Sequence, residues 1–244
     1  MLARSLLLLS TLLILGGTSA PVLAVSSPEA QRCEAEQITP EDRIVACTLV
    51  IHSGTDRGKD LAVDFGNRAV GWMAKKDYDH AQADLDEAIR LDPDNALALF
   101  NRGNNSRYKG NYDGAIADYN RALALKPNYL PAYVNRGVSW AGKSEWDRAI
   151  GDYSQALKLD AHDVIALYRR GQAYTAKGDY DRAIADFDDA IRVKDSAEQL
   201  YFSRGEAWLA KGDRARGVAD LRKALAINPE FKEAVAALKR AGAS

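Results

Sequence analysis

The side chains best suited to catalysis are few and scattered in this sequence. None of the three histidines, His52, His80 and His162, stands at a recognised catalytic spacing from a serine, a cysteine or a carboxylate. The chain also has no phosphate-binding glycine-rich loop, no nucleophile elbow and no metal-binding motif. We therefore predict a protein that is not an enzyme and that carries no cofactor and no metal ion.

The only two cysteines, Cys33 and Cys47, lie close together near the N-terminus. In an exported chain such an even pair predicts a disulfide. Closing so short a loop would remove roughly 3 kcal/mol of unfolded-state entropy. Two unpaired thiols are the alternative if the chain is cytosolic. Metal binding is disfavoured because no second Cys or His stands at ligand spacing from either residue.

Two charged side chains recur with one period. An arginine returns every 34 residues, and an aspartate follows each arginine by 16 residues. The pairs are Arg68 and Asp84, Arg102 and Asp118, Arg136 and Asp152, Arg170 and Asp186, and Arg204 and Asp220. Two antiparallel helices would bring each pair together, which predicts an internal ladder of ion pairs, each worth about 0–1 kcal/mol if exposed. A row of arginines that binds anions is the alternative.

The same period runs through the rest of the sequence and indicates a repeat array. The repeat frames are 62–95, 96–129, 130–163, 164–197 and 198–231. In the second unit we predict a first helix from Ala96 to about Lys109, ended by Gly110 and Asn111. A second helix runs from about Tyr112 to Leu125, and Pro127 prevents its continuation.

Small residues in the predicted first helices face large ones in the second helices. Gly103, Gly137, Gly171 and Gly205 would allow close approach of Tyr119, Tyr153, Phe187 and Leu221, respectively. The apolar spacing in each unit is that of helices and not of strands. We therefore interpret these glycines as packing residues.

A 34-residue helix-turn-helix unit with small residues near its eighth and twentieth positions resembles the tetratricopeptide repeat. The family's aromatic position in the first helix is held by Trp72, Trp140, Tyr174 and Trp208, and its small position in the second helix by Ala81, Ala115, Ala149 and Ala183. Ser106, Arg214 and Gly217 depart from the pattern. The resemblance covers 62–231 and implies an all-α, right-handed α-solenoid of five units, closed by a C-terminal capping helix over 232–244.

Residues 25–61 precede the first full unit. We predict an extended arm from Val25 to Thr39, anchored by Cys33, and then a helix from Pro40 to about His52 with Thr39 as its N-cap. This helix resembles the second helix of a unit that lacks its first helix. It would cap the array, since repeat stacks need polar-faced caps.

The first 24 residues have the order of a secretory signal peptide. Arg4 precedes an apolar run from Leu6 to Leu15, and small residues end at Ala24, where we predict cleavage. An uncleaved anchor is the alternative, although the apolar run is shorter than the roughly 20 residues that span a bilayer. We expect a periplasmic or secreted protein with no stable membrane insertion after cleavage, and the resemblance implies the periplasm of a Gram-negative bacterium.

The composition constrains the partner. The chain is 47% hydrophobic and 27% charged with a net charge of −1, which predicts a folded protein and gives no electrostatic attraction for nucleic acid. The resemblance implies instead that a protein or peptide partner binds in a concave groove lined by the first helices. The positions that it assigns to the groove are Phe100, Asn101, Asn104, Asn135, Tyr168, Arg169, Gln172, Phe202, Ser203 and Glu206.

The chemistry of these groove positions leaves alternatives open. Asparagines can hold a partner's backbone through paired hydrogen bonds, or they can brace neighbouring helices. Some arrays of this family grip a C-terminal carboxylate with two lysines, two asparagines and an arginine. Asn104, Asn135 and Arg169 match that clamp, but Phe100 and Ile165 occupy the lysine positions. We therefore do not predict specificity for chaperone tails.

Two other functional classes compete with a protein-binding scaffold. An adaptor for envelope polysaccharide or peptidoglycan machinery would use the aromatic groove residues to bind sugars. A membrane-anchored or cytosolic co-chaperone would keep the apolar N-terminus.

Overall fold

The computed structural model describes residues 27–243, and the predicted signal peptide over residues 1–24 lies outside that range. The described residues form thirteen α-helices and no strand. The helices are α1 Pro28–Glu34, α2 Pro40–Ser53, α3 Gly58–Ala74, α4 Tyr78–Leu91, α5 Ala96–Tyr108, α6 Tyr112–Leu125, α7 Leu130–Gly142, α8 Trp146–Leu159, α9 Val164–Ala176, α10 Tyr180–Val193, α11 Glu198–Lys211, α12 Arg214–Ile227 and α13 Lys232–Arg240. None of these helices combines the length and apolarity that crossing a membrane requires.

Helices pair in chain order from α3 to α12, so that each unit contributes a first and a second helix and the predicted solenoid is confirmed. Each first helix also packs on the next first helix, from α3 through α5, α7 and α9 to α11. The second helices show no comparable contact among themselves in the described chain. The array therefore curves with its first helices on the inner, concave side.

Turn chemistry fixes where each helix begins and ends. Gly110 and Gly178 adopt φ of 77° just after their first helices, as the sequence predicts. At the corresponding breaks of the first and third units Lys76 and Ser144 take φ of 62° and 60° without a glycine. Asn111 then caps α6 by accepting a hydrogen bond from the Gly114 backbone N–H, at 3.0 Å.

The predicted contacts between glycines and aromatic residues are confirmed. A Cβ atom added to Gly137 would lie 2.6 Å from Cε1 of Tyr153, whose ring is buried in the core between α7 and α8. The same distance separates a Cβ on Gly103 from Tyr119 and one on Gly171 from Phe187. Glycine is required at these positions because the neighbouring ring occupies the space of a methyl group.

We expect the glycine at position 137 to be far less tolerant of substitution than the one at 151. Gly137→Ala should lower the free energy of unfolding by about 1–3 kcal/mol because the added methyl overpacks the core. Gly151→Ala, in the exposed part of α8 with nothing within 4 Å of its Cβ position, should raise that energy by up to about 1 kcal/mol. Chemical denaturation checks both variants. Equal effects would show that the ring contact does not explain the glycine at 137.

The N-terminal segment differs from its sequence prediction. The extended arm predicted for 25–39 is wrong over Pro28–Glu34, which forms α1, capped by Ser27 with Pro28 in its first turn. The sequence contains the same cap signature as α2, but the scarcity of large apolar residues hid the helix. Because α1 packs on α2 and α3, it stands where a first helix would, and it completes the capping unit.

Covalent and polar contacts hold this capping unit together. Cys33 and Cys47 form the predicted disulfide, and both side chains are fully buried. Arg43 of α2 donates hydrogen bonds to the carbonyl oxygens of Cys33, at 3.1 Å, and Ala35, at 2.6 Å. These bonds satisfy carbonyls at the C-terminal end of α1.

The C-terminal end is closed by α13, as predicted. Ala234, Ala237 and Leu238 are buried against the last unit. Arg214, a departure from the repeat pattern, donates to the carbonyl oxygens of Ala241 at 2.5 Å and Gly242 at 2.8 Å. The arginine therefore replaces the usual aromatic residue where the neighbouring element is the end of a helix.

Candidate binding groove

The arginine–aspartate ladder is confirmed in all five units. Each arginine donates from Nε and Nη2 to the two carboxylate oxygens of its aspartate, at distances between 2.6 and 2.8 Å. Asp118 makes two such bonds and raises the pKa of Arg102, and Asp220 does the same for Arg204. The guanidinium groups of this row are thus occupied within the fold, which does not favour the alternative that they bind anions.

A second contact of each arginine joins neighbouring units and was not predicted. Nη1 reaches a polar oxygen on the preceding second helix at 2.5–3.2 Å. The acceptors are Thr48, Asp86, Asn120, Ser154 and Asp188. The recurrence of short polar residues 16 positions before four of the arginines was the available signal.

A ladder of lysines also joins the units. Each lysine lies at the C-terminal end of a first helix and pairs with an acid at the start of the preceding second helix. The pairs are Lys75 with Glu41, Lys109 with Asp79, Lys143 with Asp113, Lys177 with Asp147 and Lys211 with Asp181. The periodic arginines and lysines are therefore paired with acids within the fold and hold neighbouring helices and units together.

Exposed apolar side chains remain on the first helices. Val63, Leu97 and Ile165 occupy the second position of their units and are 41%, 56% and 60% exposed. Pro131 and Gln199 hold the same position in the other two units and are also exposed. We call Val63, Leu97, Pro131 and Ile165 the apolar stripe; in the last unit this position is the polar Gln199. Sequence reasoning did not single them out as a set, although their 34-residue spacing was visible.

Two predicted groove asparagines bond to each other. Nδ2 of Asn135 donates to Oδ1 of Asn104 at 2.7 Å, and the Tyr119 hydroxyl donates to the same oxygen at 2.7 Å. This contact braces the second and third units. Nδ2 of Asn104 and Oδ1 of Asn135, one donor and one acceptor, keep no partner among the described residues. The Asn101 side chain also makes no hydrogen bond within the described chain.

The predicted aromatic groove residues are partly buried between helices. The Phe100 ring lies 4.9 Å from that of Tyr129 between centroids, and the Phe202 ring lies 5.1 Å from that of Phe231. Tyr168 packs at 6.1 Å from Phe187. Each ring therefore contributes to the packing of its unit and offers only part of its surface to a ligand.

The remaining predicted groove residues form two polar groups. Gln172 donates to the Tyr168 hydroxyl at 2.8 Å and accepts from Nη1 of Arg169 at 3.1 Å. Glu206 pairs with Arg240 of α13 at 3.0 Å, near the C-terminal end of the array. Ser203 is half-buried on α11. Over 27–243, no group of three or more His, Cys, Asp and Glu side chains is arranged to hold a metal ion.

Comparisons with known proteins agree with this architecture. Family models described as tetratricopeptide repeat match 73–95, 96–129, 135–198 and 176–230. No curated protein sequence matches the chain.

Several solved structures resemble it. MamA has a TM-score of 0.63 and 25% identity, over 68% of this chain and 96% of that one. YrrB, a TPR protein with an unusual peptide-binding site, has a TM-score of 0.65 and 22% identity over 80% and 98%. A thermophilic TPR protein of Thermus thermophilus has a TM-score of 0.57 and 20% identity over 74% and 98%.

Proposed function

Because the chain belongs to the tetratricopeptide repeat family, we propose that it is a non-enzymatic scaffold whose concave groove binds a segment of a protein partner. Similarity to YrrB, a TPR protein with a peptide-binding site, supports a protein-interaction role. The segment would lie along the first helices.

The apolar stripe is the observation that carries this proposal. Leu97 and Ile165 expose more than half of their surface on the first helices, while Arg102 and Arg170 of the same helices are paired internally. Apolar area that stays in contact with water is costly, and a partner that covers it gains about 25 cal/mol per Å². We therefore expect apolar side chains on the partner, spaced to meet successive units.

The unpaired amide groups of the groove supply a polar complement. Nδ2 of Asn104 can donate to a peptide carbonyl, and Oδ1 of Asn135 can accept from a peptide N–H. The bond between the two asparagines holds both groups in place beforehand, which lowers the entropy cost of binding. Backbone recognition of this kind tolerates many side chains, and the apolar stripe would supply the selectivity.

Affinity capture with matched variants tests the groove. In one variant Leu97, Asn101 and Ile165 are replaced by Lys, which removes two exposed apolar residues and one half-buried asparagine of the groove without touching the braces. The matched control carries Lys at Leu125, Leu159 and Val193, exposed apolar residues of the second helices. We expect the wild type to capture a partner from an envelope fraction. The amount captured should fall at least tenfold with the groove variant and stay unchanged with the control.

The two variants have the same change in charge, so non-specific electrostatic effects act on both. Equal retention by both would argue against the groove. Loss with the second-helix variant alone would move the binding surface to the opposite side of the array. Circular dichroism of both variants establishes that the helices persist.

We also propose that the protein is exported to the periplasm after cleavage behind Ala24. The buried Cys33–Cys47 disulfide supports this location, because disulfides persist in oxidising compartments and are rare in the cytosol. Mass spectrometry of the natural protein should find a chain that begins at Val25. A chain that retains residues 1–24 would favour the anchored alternative.

A further inference from the structure

A cleft of about 300 Å³ lies between α7 and α9 on the groove side. Its walls include the apolar side chains of Val138 and Trp146 and the polar groups of Tyr153, Arg169 and Gln172. This volume suits one side chain of a bound segment, and the polar groups come from α8 and α9. The cleft is therefore a candidate subsite within the groove.

The Tyr153 hydroxyl has lost the partner that its counterpart has one unit earlier. Tyr119 donates to Asn104 at 2.7 Å, whereas Val138 stands at the position equivalent to Asn104 in the third unit. Tyr153 is only 1% exposed, and its hydroxyl makes no hydrogen bond within the described chain. Because Tyr153 lines the cleft, its hydroxyl is available to donate a hydrogen bond to a ligand acceptor there.

Arg169 lacks the carboxylate partner that its neighbour Arg170 has. Arg170 is held by both oxygens of Asp186, whereas the only hydrogen bond of the Arg169 guanidinium within the described chain goes to the neutral amide oxygen of Gln172, at 3.1 Å. Its positive charge partly opposes the effect of burial, which raises the pKa of Tyr153. The cleft thus contains a positive charge and a hydroxyl donor with no carboxylate to meet them.

We propose that this cleft binds the side-chain carboxylate of an Asp or Glu in the partner's segment. Arg169 supplies the charge, Tyr153 donates a hydrogen bond to a carboxylate oxygen, and Val138 and Trp146 enclose the methylene groups. A C-terminal carboxylate is disfavoured because Phe100 and Ile165 stand where a terminal clamp has lysines. The inference rests on the proposed groove function and names one chemical feature of the partner.

Small probes separate the sources of carboxylate. The α-amide of N-acetylglutamate carries only a side-chain carboxylate, N-acetylalanine only a terminal one, and the α-amide of N-acetylglutamine neither. Each is titrated into the full chain without residues 1–24 at low salt, and the Trp146 indole N–H signal is followed by NMR. We expect the glutamate probe to bind at least fivefold more tightly than both others.

Variants assign the binding to the two donors. Arg169→Gln should lower the affinity for the glutamate probe at least tenfold. Tyr153→Phe should lower it about fivefold, since a hydrogen bond to a charged group contributes at least about 1 kcal/mol. Arg148→Gln is the control, because this arginine lies over the Trp140 ring, outside the residues that line the cleft. Thermal unfolding of each variant establishes that the fold is kept.

Each further outcome decides the inference. Equal binding of the glutamine probe, equal or tighter binding of the terminal carboxylate, or equal weakening by Arg148→Gln overturns it. If capture depends on the apolar stripe while the glutamate probe fails to bind, only the subsite is wrong. If the probe binds as expected while capture is insensitive to the stripe, only the proposed groove function is wrong.

Discussion

Replacement of Asp118 by Ala is expected to lower the free energy of unfolding by about 3 kcal/mol, since it leaves a largely buried guanidinium without its main partner. Arg102 is 21% exposed and Asp118 9% exposed. Both carboxylate oxygens accept from this arginine, at 2.8 and 2.7 Å. Chemical denaturation measures the loss.

Asp86→Ala is the matched control for this ladder. Asp86 contacts the same guanidinium at 2.8 Å, but its side chain is 52% exposed. Solvent can replace this partner, so we expect a loss below about 1 kcal/mol. Similar losses for both variants would mean that burial does not set the strength of the ladder. An Asp118→Ala variant that changes partner binding but not stability would overturn its structural assignment.

The second large effect expected on stability comes from the ionisation of Asp64. Asp64 on α3 is 3% exposed as a residue. Its Oδ1 lies 3.6 Å from Cys33 Sγ, and its Oδ2 is buried without a hydrogen-bond partner in the described chain. Burial, followed by the nearby acids Asp56, Glu34 and Asp60, raises the pKa of Asp64 to about 7. The group is therefore protonated in the folded protein over a pH range where it is ionised in the unfolded chain.

The sign of the pH dependence follows from this difference. A carboxyl whose pKa is raised by folding contributes stability that is fully present below about pH 4 and is lost as the pH rises to about 7. The variant Asp64→Asn cannot ionise. Between pH 4 and pH 8, the difference in unfolding free energy should therefore shift in favour of the variant by up to about 4 kcal/mol, at 1.36 kcal/mol per pKa unit.

Denaturation of both proteins at several pH values, with the disulfide intact, measures this shift. Asp56→Asn is an informative companion, because removing the acid that raises the pKa of Asp64 most should lower that pKa and move the transition to lower pH. A difference between Asp64→Asn and wild type that stays constant from pH 4 to pH 8 would show that Asp64 is ionised in the folded protein.

The repeat itself was predictable from sequence because the same packing residues recur at the same positions in five units. Packing residues such as Gly103 and Tyr119 recur at one spacing, so their contact within a helix pair follows from antiparallel packing alone. The arginine–aspartate pairs were predictable for the same reason. Contacts between units, such as the bond from Arg102 to Asp86, depend on how consecutive pairs stack, which spacing within one unit does not determine.

Features that occur only once were harder to predict. The seven-residue helix α1 is too short for apolar periodicity, and its disulfide and the bonds from Arg43 stabilise it instead. Arg214 departs from the repeat pattern, and only its hydrogen bond to the end of α13 explains why an arginine stands there. The sequence left open whether the groove asparagines brace helices or bind a partner's backbone. Asn104 and Asn135 are able to do both, because the hydrogen bond between them braces two units and still leaves one polar atom of each side chain unpaired.

Site-specific photo-crosslinking tests the groove most directly. The photoreactive residue p-benzoylphenylalanine is introduced in place of Leu97 or Ile165 on the first helices, and of Leu125 or Leu159 on the second helices, in cells that produce the full chain. The proposed function predicts that the same partner is crosslinked from positions 97 and 165 and not from positions 125 and 159. A partner crosslinked only from the second-helix positions would contradict binding in the concave groove.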